Sequence, residues 1–354
     1  MTMYNLQKNN VFSHDFYQWL DDSLTVSIAA YAAKLVINHC KLGSHNAAME
    51  RMFEDMAAAK KGTIVIDGET IPISNPGKLL WPELGLTKSM YLEKLAMLAP
   101  YLLHHCNGRY MTTIRWPDGI TGESFYQKNC PEPTPPFVHT AQQGDINYVL
   151  LDSLPTLLWL GNLACLEFHM SFDRIGEAVY PTEWIIDLDP SLEVEPRIME
   201  AAVIVGDLLR SIGVESMLKT SGATGVQLII PSAGDVTFDE LRVMGRFVGS
   251  YLAQAHPKLF TIERMKADRG DCIYVDYLQH YPGKTIAAPY SPRARAGATL
   301  STPITWEEAR GGARIADYNL LTIGDRLSQF GDLLLQAKPQ KLRPIYDFVS
   351  RSTS

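Results

Sequence analysis

Asp187 and Asp189 stand one residue apart at the end of a short run, residues 183–186, that reads as a buried β-strand, and Pro190 ends the run. Side chains alternate between the two faces of a strand, so both carboxylates point to one side while Leu188 points to the other. Two neighbouring carboxylates repel each other and are costly to bury unpaired. Divalent cations such as Mg²⁺ or Mn²⁺ would relieve that repulsion and bridge to substrate phosphates, as in two-metal phosphoryl transfer. A strand that simply ends in an Asp-Pro turn is the structural alternative.

A third carboxylate, Asp276, ends another short apolar run, residues 272–276. If the two strands are neighbours in one sheet, the three acids would form a single metal site. The sequence does not show which strands pair, so the shared site is a hypothesis that a structure can test.

The composition is that of a soluble globular protein, with 354 residues of which 46% are hydrophobic and 20% charged. A net charge of −7 argues against a surface covered in nucleic-acid-binding cations but leaves room for a local basic groove. The five cysteines are widely spaced and form no C-x-x-C pair, which indicates reduced thiols rather than disulfides or a zinc site. The N-terminus lacks a signal-peptide core, and the longest apolar stretch, residues 147–168, is too interrupted to span a bilayer.

The hydrophobic pattern divides the chain into three parts. Residues 1–61 predict two helices, at about 14–41 and 45–60, and form an N-terminal helical extension. Residues 62–340 form the main domain, which opens with a β-hairpin around Asp67-Gly68. Residues 341–354 are expected to be a C-terminal tail. The helices of the main domain are expected at 88–105, 154–163, from Pro196 to about 212, at 237–255 and within 306–335.

Asn75, Lys78 and Lys88 lie close together on a loop and at the start of a predicted helix. Cations and free backbone N–H groups at a helix start suit a phosphate. The ordinary alternative is a set of solvated lysines.

A predicted hairpin at residues 109–128 interleaves basic and aromatic side chains, namely Arg115, Phe125, Tyr126 and Lys128. Such interleaving is typical of surfaces that hold a nucleic-acid backbone and stack a base. Alternatively the aromatic rings face the core, and we expect one of the two to do so.

Further candidate residues follow along the chain. His169 closes a predicted strand, and a single histidine is more often structural than catalytic. Ser221 and Gly222 sit in a turn between two strands and could donate to phosphate oxygens, although the P-loop pattern is absent. Residues 284–295 carry three cations, from Lys284 to Arg295, and no acid.

Taken together and in this order, short stretches of the chain resemble the polymerase domain of bacterial ligase D. That domain is the module of the archaeo-eukaryotic primase superfamily that serves non-homologous end joining. The matching stretches are residues 74–82, 115–120, 125–128, 163–169, 187–190, 219–222, 275–279 and 288–295. They span about 63–310, so the first 61 residues lie outside the resemblance.

The resemblance implies an α+β protein with an archaeo-eukaryotic primase-like fold, in which helices flank a mixed or antiparallel catalytic sheet. It also implies roles for individual residues. Asp187, Asp189 and Asp276 would be catalytic and would hold two divalent ions, Mn²⁺ or Mg²⁺. The residues implied to bind the incoming nucleotide are His169, Ser221, Gly222, Gln227, Arg269, Gln279, Lys284 and Arg293. Those implied to bind DNA are Asn75, Lys78 and Lys88 at a 5′-phosphate, and Arg115, Phe125, Tyr126 and Lys128 along the template.

The implied activity is that of a nucleotidyltransferase adding nucleotides, preferentially ribonucleotides, to a primer 3′ end at gaps or broken ends of DNA. The implied partners are DNA, nucleoside triphosphates, Ku and a separate DNA ligase in the bacterial cytosol, with no membrane. Thr224 and Gln227 depart from the family, which usually carries a lysine and then a histidine at these positions. Glutamine can still donate a hydrogen bond but carries no charge. A non-catalytic DNA-end-binding module and a carboxylate-metal phosphohydrolase are the competing functions.

Overall fold

A tight hairpin opens the part of the chain that the structure, a computed structural model, describes: residues 61–177 and 179–353. Strands Lys61–Ile66 and Glu69–Ser74 pair antiparallel and are joined by Asp67 and Gly68, whose φ angles are 53° and 84°. Two consecutive positive φ angles are the requirement of a type I′ turn, which Asp-Gly fulfils at low cost. The predicted hairpin is therefore confirmed, whereas the predicted helices at 14–41 and 45–60 lie outside the described residues.

Strands and helices alternate irregularly along the chain. The strands are β1 (Lys61–Ile66), β2 (Glu69–Ser74), β3 (Leu79–Trp81), β4 (Leu86–Thr87), β5 (Arg109–Arg115), β6 (Phe125–Gln127), β7 (Thr140–Gln143), β8 (Ile146–Val149), β9 (Cys165–Arg174), β10 (Glu183–Pro190), β11 (Met217–Thr220), β12 (Val226–Pro231), β13 (Phe260–Thr261), β14 (Ile273–Asp276), β15 (Thr285–Ala287) and β16 (Pro303–Ile304). The α-helices are α1 (Lys88–Cys106), α2 (Leu154–Asn162), α3 (Ile198–Ser211), α4 (Phe238–Ala255), α5 (Trp306–Arg310), α6 (Ile323–Phe330) and α7 (Arg343–Thr353).

Two sheets carry the architecture. The larger has the strand order β13-β14-β10-β12-β11-β16, with every pair antiparallel except the parallel pair β13 and β14. The smaller has the order β15-β9-β5-β6 and is antiparallel throughout. This mixture of helices with a mixed, mainly antiparallel sheet confirms the predicted α+β class.

The strands of the larger sheet alternate, so that one face is apolar and the other carries polar residues together with Ile185 and Ile229. Ile186, Leu188, Leu228 and Val275 belong to a buried core cluster that also contains Val205 of α3. The residues between them in sequence point to the opposite face, as the pleat requires. That opposite face looks toward the smaller sheet and carries a row of polar residues.

The last residues differ from the expected C-terminal tail, because residues 343–353 form helix α7. Leu342 and Val349 are buried, and Arg343 forms an ion pair with Glu240 in the first turn of α4. Burial of the apolar side of this short helix, rather than its own propensity, explains why it forms.

Candidate active site

A row of polar side chains crosses four neighbouring strands of the larger sheet. The register pairs Lys219 with Gln227, Gln227 with Asp187, and Asp187 with Asp276. Directly opposed residues in antiparallel strands have Cβ atoms about 4.5–5.5 Å apart. The structure therefore brings Asp276 beside Asp187, as the hypothesis of a shared site requires, and Asp189 follows on the same face of β10.

Asp187 lies in the middle of this row and is electrostatically strained. Burial raises the pKa of its carboxyl to about 6, and the neighbouring carboxylates of Asp276 and Asp189 add to the increase. The hydrogen bond from Gln279, at 2.8 Å, and the neighbouring amide of Gln227 lower this pKa but do not cancel the increase. A site that raises the pKa of an acid through its like-charged neighbours is one that a cation would stabilise.

Asp189 and Asp276 have protein partners of their own. The Arg269 guanidinium is buried, stacks over the Tyr274 ring at 4.0 Å and contacts Asp189 Oδ2 through Nη1 at 3.0 Å. Asp276 Oδ1 accepts from the Tyr274 hydroxyl at 3.2 Å and from the Leu278 amide at 2.9 Å. Arg269, expected to contact a nucleotide, is therefore engaged with one of the candidate metal ligands.

The fit of these residues to divalent ions can be judged from the donors. Within residues 61–177 and 179–353, no group of three or more His, Cys, Asp or Glu side chains is arranged to hold a metal ion. One of the three candidate acids, Asp189, contacts the Arg269 guanidinium at 3.0 Å. The chemistry nevertheless fits, since hard cations prefer carboxylate oxygens and Asp187 and Asp276 are direct neighbours with a repulsion to relieve.

The opposite end of the row holds a buried lysine. Lys219 has no exposed surface, and its ammonium donates to Gln227 Oε1 and Ser301 Oγ and lies 3.3 Å from the Ala287 carbonyl of β15. Burial lowers the pKa of Lys219 to about 7, against the attraction of the Asp187 carboxylate. Lys219 was given no role in the sequence analysis. Its alternation with the apolar Leu218 was the available signal that it points away from the core, on the face where Gln227 is its strand partner.

His169 lies in the smaller sheet, opposite Ala287 of β15. It was expected at the end of a strand, but β9 continues to Arg174. Its Nε2 is 2.9 Å from Glu167 Oε2, and burial lowers the pKa of its imidazole. Burial alone would raise the pKa of Glu167, but the hydrogen bond with His169 and the charge of Arg293 outweigh it and lower that pKa to about 2. Glu167, which was not among the residues expected from the sequence, thus contacts two of the expected nucleotide-binding residues, His169 and Arg293.

The loop after β11 is tightly folded against Arg293. Ser221 Oγ accepts from the Gly225 amide at 3.1 Å, and Arg293 Nη1 donates to the Ser221 carbonyl at 2.6 Å. Gly222 has a φ of 69°, and a Cβ there would lie 2.6 Å from the Leu300 carbonyl carbon. Ser221 and Gly222 therefore lie in a tight turn whose amides donate to the serine hydroxyl, and their binding of phosphate stays a prediction.

Gln279 and Lys284 belong to the loop that follows Asp276. Gln279 donates to Asp187 and so acts on an acid of the row. Lys284 is exposed, donates to the Leu278 carbonyl at 2.8 Å and lies 5.8 Å from the Tyr281 ring centroid. The loop thus carries one residue directed at the acids and one cation at the surface.

A second cluster contains the residues expected to bind a 5′-phosphate. Asn75 is exposed, with a φ of 47°, and its carbonyl accepts from the Lys78 amide at 3.0 Å. Lys78 is half-buried and contacts Asp118 at 2.6 Å. Lys88 differs from the expectation of a surface cation, because it is 5% exposed and donates to the carbonyls of Ser74 and Asn162 at 2.7 and 2.8 Å.

The hairpin of basic and aromatic residues lies beside this cluster. Arg115 donates to the Leu163 carbonyl at 2.9 Å, and its guanidinium carbon is 5.1 Å from the Phe125 ring centroid. Phe125 and Tyr126 are 43% and 74% exposed, so neither ring faces the core. The expectation that one of the two would do so is wrong. Both are exposed because β6 is a three-residue strand at the sheet edge. Lys128 is exposed as well.

A family model described as "LigD, primase-polymerase domain" matches residues 87–334. The chain belongs to this family. It is 36% identical over 256 residues to the bifunctional non-homologous end joining protein LigD of Bacillus subtilis, covering 72% of this chain and 42% of the relative. It is 32% identical over 278 residues to the multifunctional LigD of Mycolicibacterium smegmatis, covering 75% and 36%. The chain thus spans less than half the length of these relatives.

A solved structure supports the same assignment to LigD. The polymerase domain from Mycobacterium tuberculosis ligase D, solved in complex with DNA, aligns with a TM-score of 0.68 and 31% sequence identity. The match covers 75% of this chain and 96% of that domain. The resemblance carried by the short sequence stretches is therefore confirmed. In the part of the chain that the structure describes, no helix is long and apolar enough to cross a membrane.

Proposed function

We propose that this LigD-family chain is a metal-dependent nucleotidyltransferase that extends a primer 3′ end, with ribonucleotides preferred, at gaps or breaks in DNA end joining. The observation that carries the proposal is the direct pairing of Asp187 with Asp276 in adjacent strands, with Asp189 on the same face. Mutually repelling acids are costly to keep together unless a cation compensates them.

The residues of the row supply the charge and the orientation that this reaction needs. Asp187, Asp189 and Asp276 would hold two divalent ions, Mn²⁺ or Mg²⁺, which supply charge neutralisation for the triphosphate and acidify the attacking hydroxyl. Gln279 donates to Asp187 and helps to fix its orientation, and Gln227 lies beside Asp187 in the next strand. The surface cation Lys284 provides a donor for phosphate oxygens beside them.

A second group of donors is arranged around Glu167. His169 and Arg293 are held by this carboxylate and so present their remaining N–H groups in fixed directions. Arg293 Nε lies 2.9 Å from Glu167 Oε2 without being aligned for a hydrogen bond, so the contact is chiefly ionic. With Ser221 and Gly222 they line the edge of the row where the incoming nucleotide is expected to bind.

DNA would lie along the second cluster. Lys78 and Asn75 suit a downstream 5′-phosphate, and the exposed rings of Phe125 and Tyr126 suit stacking on template bases. Support comes from the relative whose domain was solved with DNA. Ku and a separate DNA ligase are the proposed protein partners, by analogy with the LigD relatives, and the bacterial cytosol is the proposed location.

Primer extension on gapped DNA tests the proposal. With Mn²⁺ and each ribo- and deoxyribonucleoside triphosphate, the wild type should extend the primer, and Asp189→Asn should reduce the rate by at least about a thousandfold because it removes a charged ligand. Asp325→Asn, an exposed change in α6, is the matched control and should extend normally. DNA binding measured by fluorescence anisotropy should be equal in all three proteins.

One observation favours a second candidate, a non-catalytic module that binds DNA ends. Arg269 already neutralises Asp189 in the structure, so the acids need not all serve a metal. In that case the wild type would bind gapped DNA but extend no primer with either metal ion. Release of inorganic phosphate without extension would instead indicate a phosphohydrolase.

A further inference from the structure

Lys219 is a buried cation without a carboxylate partner at contact distance in the part of the chain that the structure describes. Its ammonium meets only neutral acceptors, the side-chain oxygens of Gln227 and Ser301 and backbone carbonyls that include Ala287. Buried charges are usually paired with an opposite charge. Lys219 is 0% exposed and forms no ion pair, so an ion pair does not explain why a lysine is buried at this position.

The position of Lys219 determines which way the Gln227 amide faces. An ammonium has donors only, so the amide group turned toward it must be the oxygen and not the NH₂. The Gln227 NH₂ is then directed to the other side. On that side, in the next strand, lies its register partner Asp187, and the Gln227 amide lowers the pKa of that carboxyl, as a donor turned toward it would.

We propose that Lys219 is a positioning residue that acts through Gln227 on Asp187. It fixes the amide orientation and thereby keeps an N–H donor on the carboxylate, so that Asp187 is held ready for a divalent ion. This inference rests on the proposed metal-dependent function. It also gives a physical use to the departure at Gln227, where the family usually carries a histidine: a neutral amide has two orientations, and Lys219 selects the useful one.

The alternative orientation shows what Lys219 prevents. Without the ammonium, the amide is free to turn its oxygen toward Asp187, where oxygen would face oxygen and repel it. Residues that orient a metal ligand typically change metal affinity by about 10- to 100-fold when they are replaced. Lys219→Met keeps much of the volume and removes the ammonium, so we expect Mn²⁺ affinity to fall by about tenfold or more.

A double-mutant cycle separates this relay from a direct effect of the lysine charge. The four proteins are wild type, Lys219→Met, Gln227→Met and the double variant, each as the full chain. The measurement is a calorimetric titration with Mn²⁺ alone, without nucleotide or DNA. We expect Lys219→Met to weaken Mn²⁺ binding in the wild-type background and to change it by less than about twofold in the Gln227→Met background.

A matched control and a milder variant keep the test decisive. Lys94→Met removes a half-buried lysine of α1 that contacts Glu93 at 3.4 Å, and it should leave Mn²⁺ affinity unchanged. Ser301→Ala removes one acceptor of Lys219 and should weaken Mn²⁺ binding slightly, again only while Gln227 is present. This variant decides the matter if Lys219→Met fails to fold, as judged by circular dichroism.

Two results would overturn the inference. Equal losses in both backgrounds would mean that the Lys219 charge acts directly on the acids, and no loss at all would mean that the lysine is merely structural. A wild type that binds no Mn²⁺ has a different meaning, because it would remove the metal-dependent function itself and the relay with it.

Discussion

Replacing Lys88 by methionine should destabilise the protein rather than merely weaken DNA binding. The buried ammonium donates to the carbonyls of Ser74 and Asn162, and so joins the end of β2 to the end of α2. A buried acceptor that loses its partner costs about 1–3 kcal/mol. Two buried carbonyls without a donor would cost about 2–6 kcal/mol of stability. Part of this cost is offset because the variant no longer buries a charge. Burial lowers the pKa of Lys88 to about 8, the direction expected when burial disfavours the charged form.

We therefore expect the free energy of unfolding in urea to fall by about 2–4 kcal/mol in Lys88→Met. Lys78→Met is the matched control, because Lys78 is 32% exposed and its partner Asp118 is 80% exposed. Such a surface pair contributes less than about 1 kcal/mol. The urea midpoint of Lys78→Met should therefore stay close to that of the wild type.

DNA binding should separate the two lysines as well. On gapped DNA, Lys78→Met should lose about tenfold in affinity when the downstream end carries a 5′-phosphate and much less when it carries a 5′-hydroxyl. Salt must be fixed, since phosphate contacts depend on it. If Lys88→Met is as stable as the wild type and shows the same dependence on the 5′-phosphate, then its ammonium binds phosphate and the structural role is wrong.

Three further results are expected. Burial lowers the pKa of His280 to about 4, below its unfolded value of about 6.5. The free energy of unfolding should therefore fall by up to about 3 kcal/mol as the pH falls from 6.5 to 4. In a series of urea-unfolding measurements, His280→Asn should flatten this part of the pH dependence, and an unchanged slope would contradict the assignment. Arg269→Met should tighten Mn²⁺ binding in calorimetry because it frees Asp189, and weaker binding would mean that the guanidinium orients the carboxylate instead. Gly222→Ala should lower the melting temperature by several degrees, since a positive φ and a close approach to Leu300 both oppose a Cβ; an unchanged melting temperature would show that the loop adapts freely.

Much of the local structure could be predicted from the sequence, because it depends on nearby residues. Asp67-Gly68 predicted its turn, and the helices expected at 88–105 and 237–255 are present as α1 and α4. Alternation along residues 183–189 placed Asp187 and Asp189 on one face. These features follow from backbone preferences and strand periodicity alone.

The sequence could not supply the features that depend on strand pairing and burial. The pairing of Asp187 with Asp276 follows from sheet order, which no local pattern encodes. Lys88 was expected at the surface, because a lysine at a helix start is usually solvated and only the packing of α1 against α2 buries it. Lys219 and Glu167 were missed for the same reason, since their importance lies in the partners that the fold brings to them.

The polar row has a consequence for how the chain folds. Its members come from separate strands, and the hydrogen bond between Gln279 and Asp187 joins residues 92 positions apart in sequence. Contacts of such long range require closure of large loops and form late in the folding of β-rich domains. During synthesis the acids of β10 emerge well before Asp276 of β14, so for a time the row of the nascent chain lacks its third carboxylate. A ligand that needs all members of the row should therefore bind only after the whole sheet has formed. Before that point in folding the ligand has no complete site.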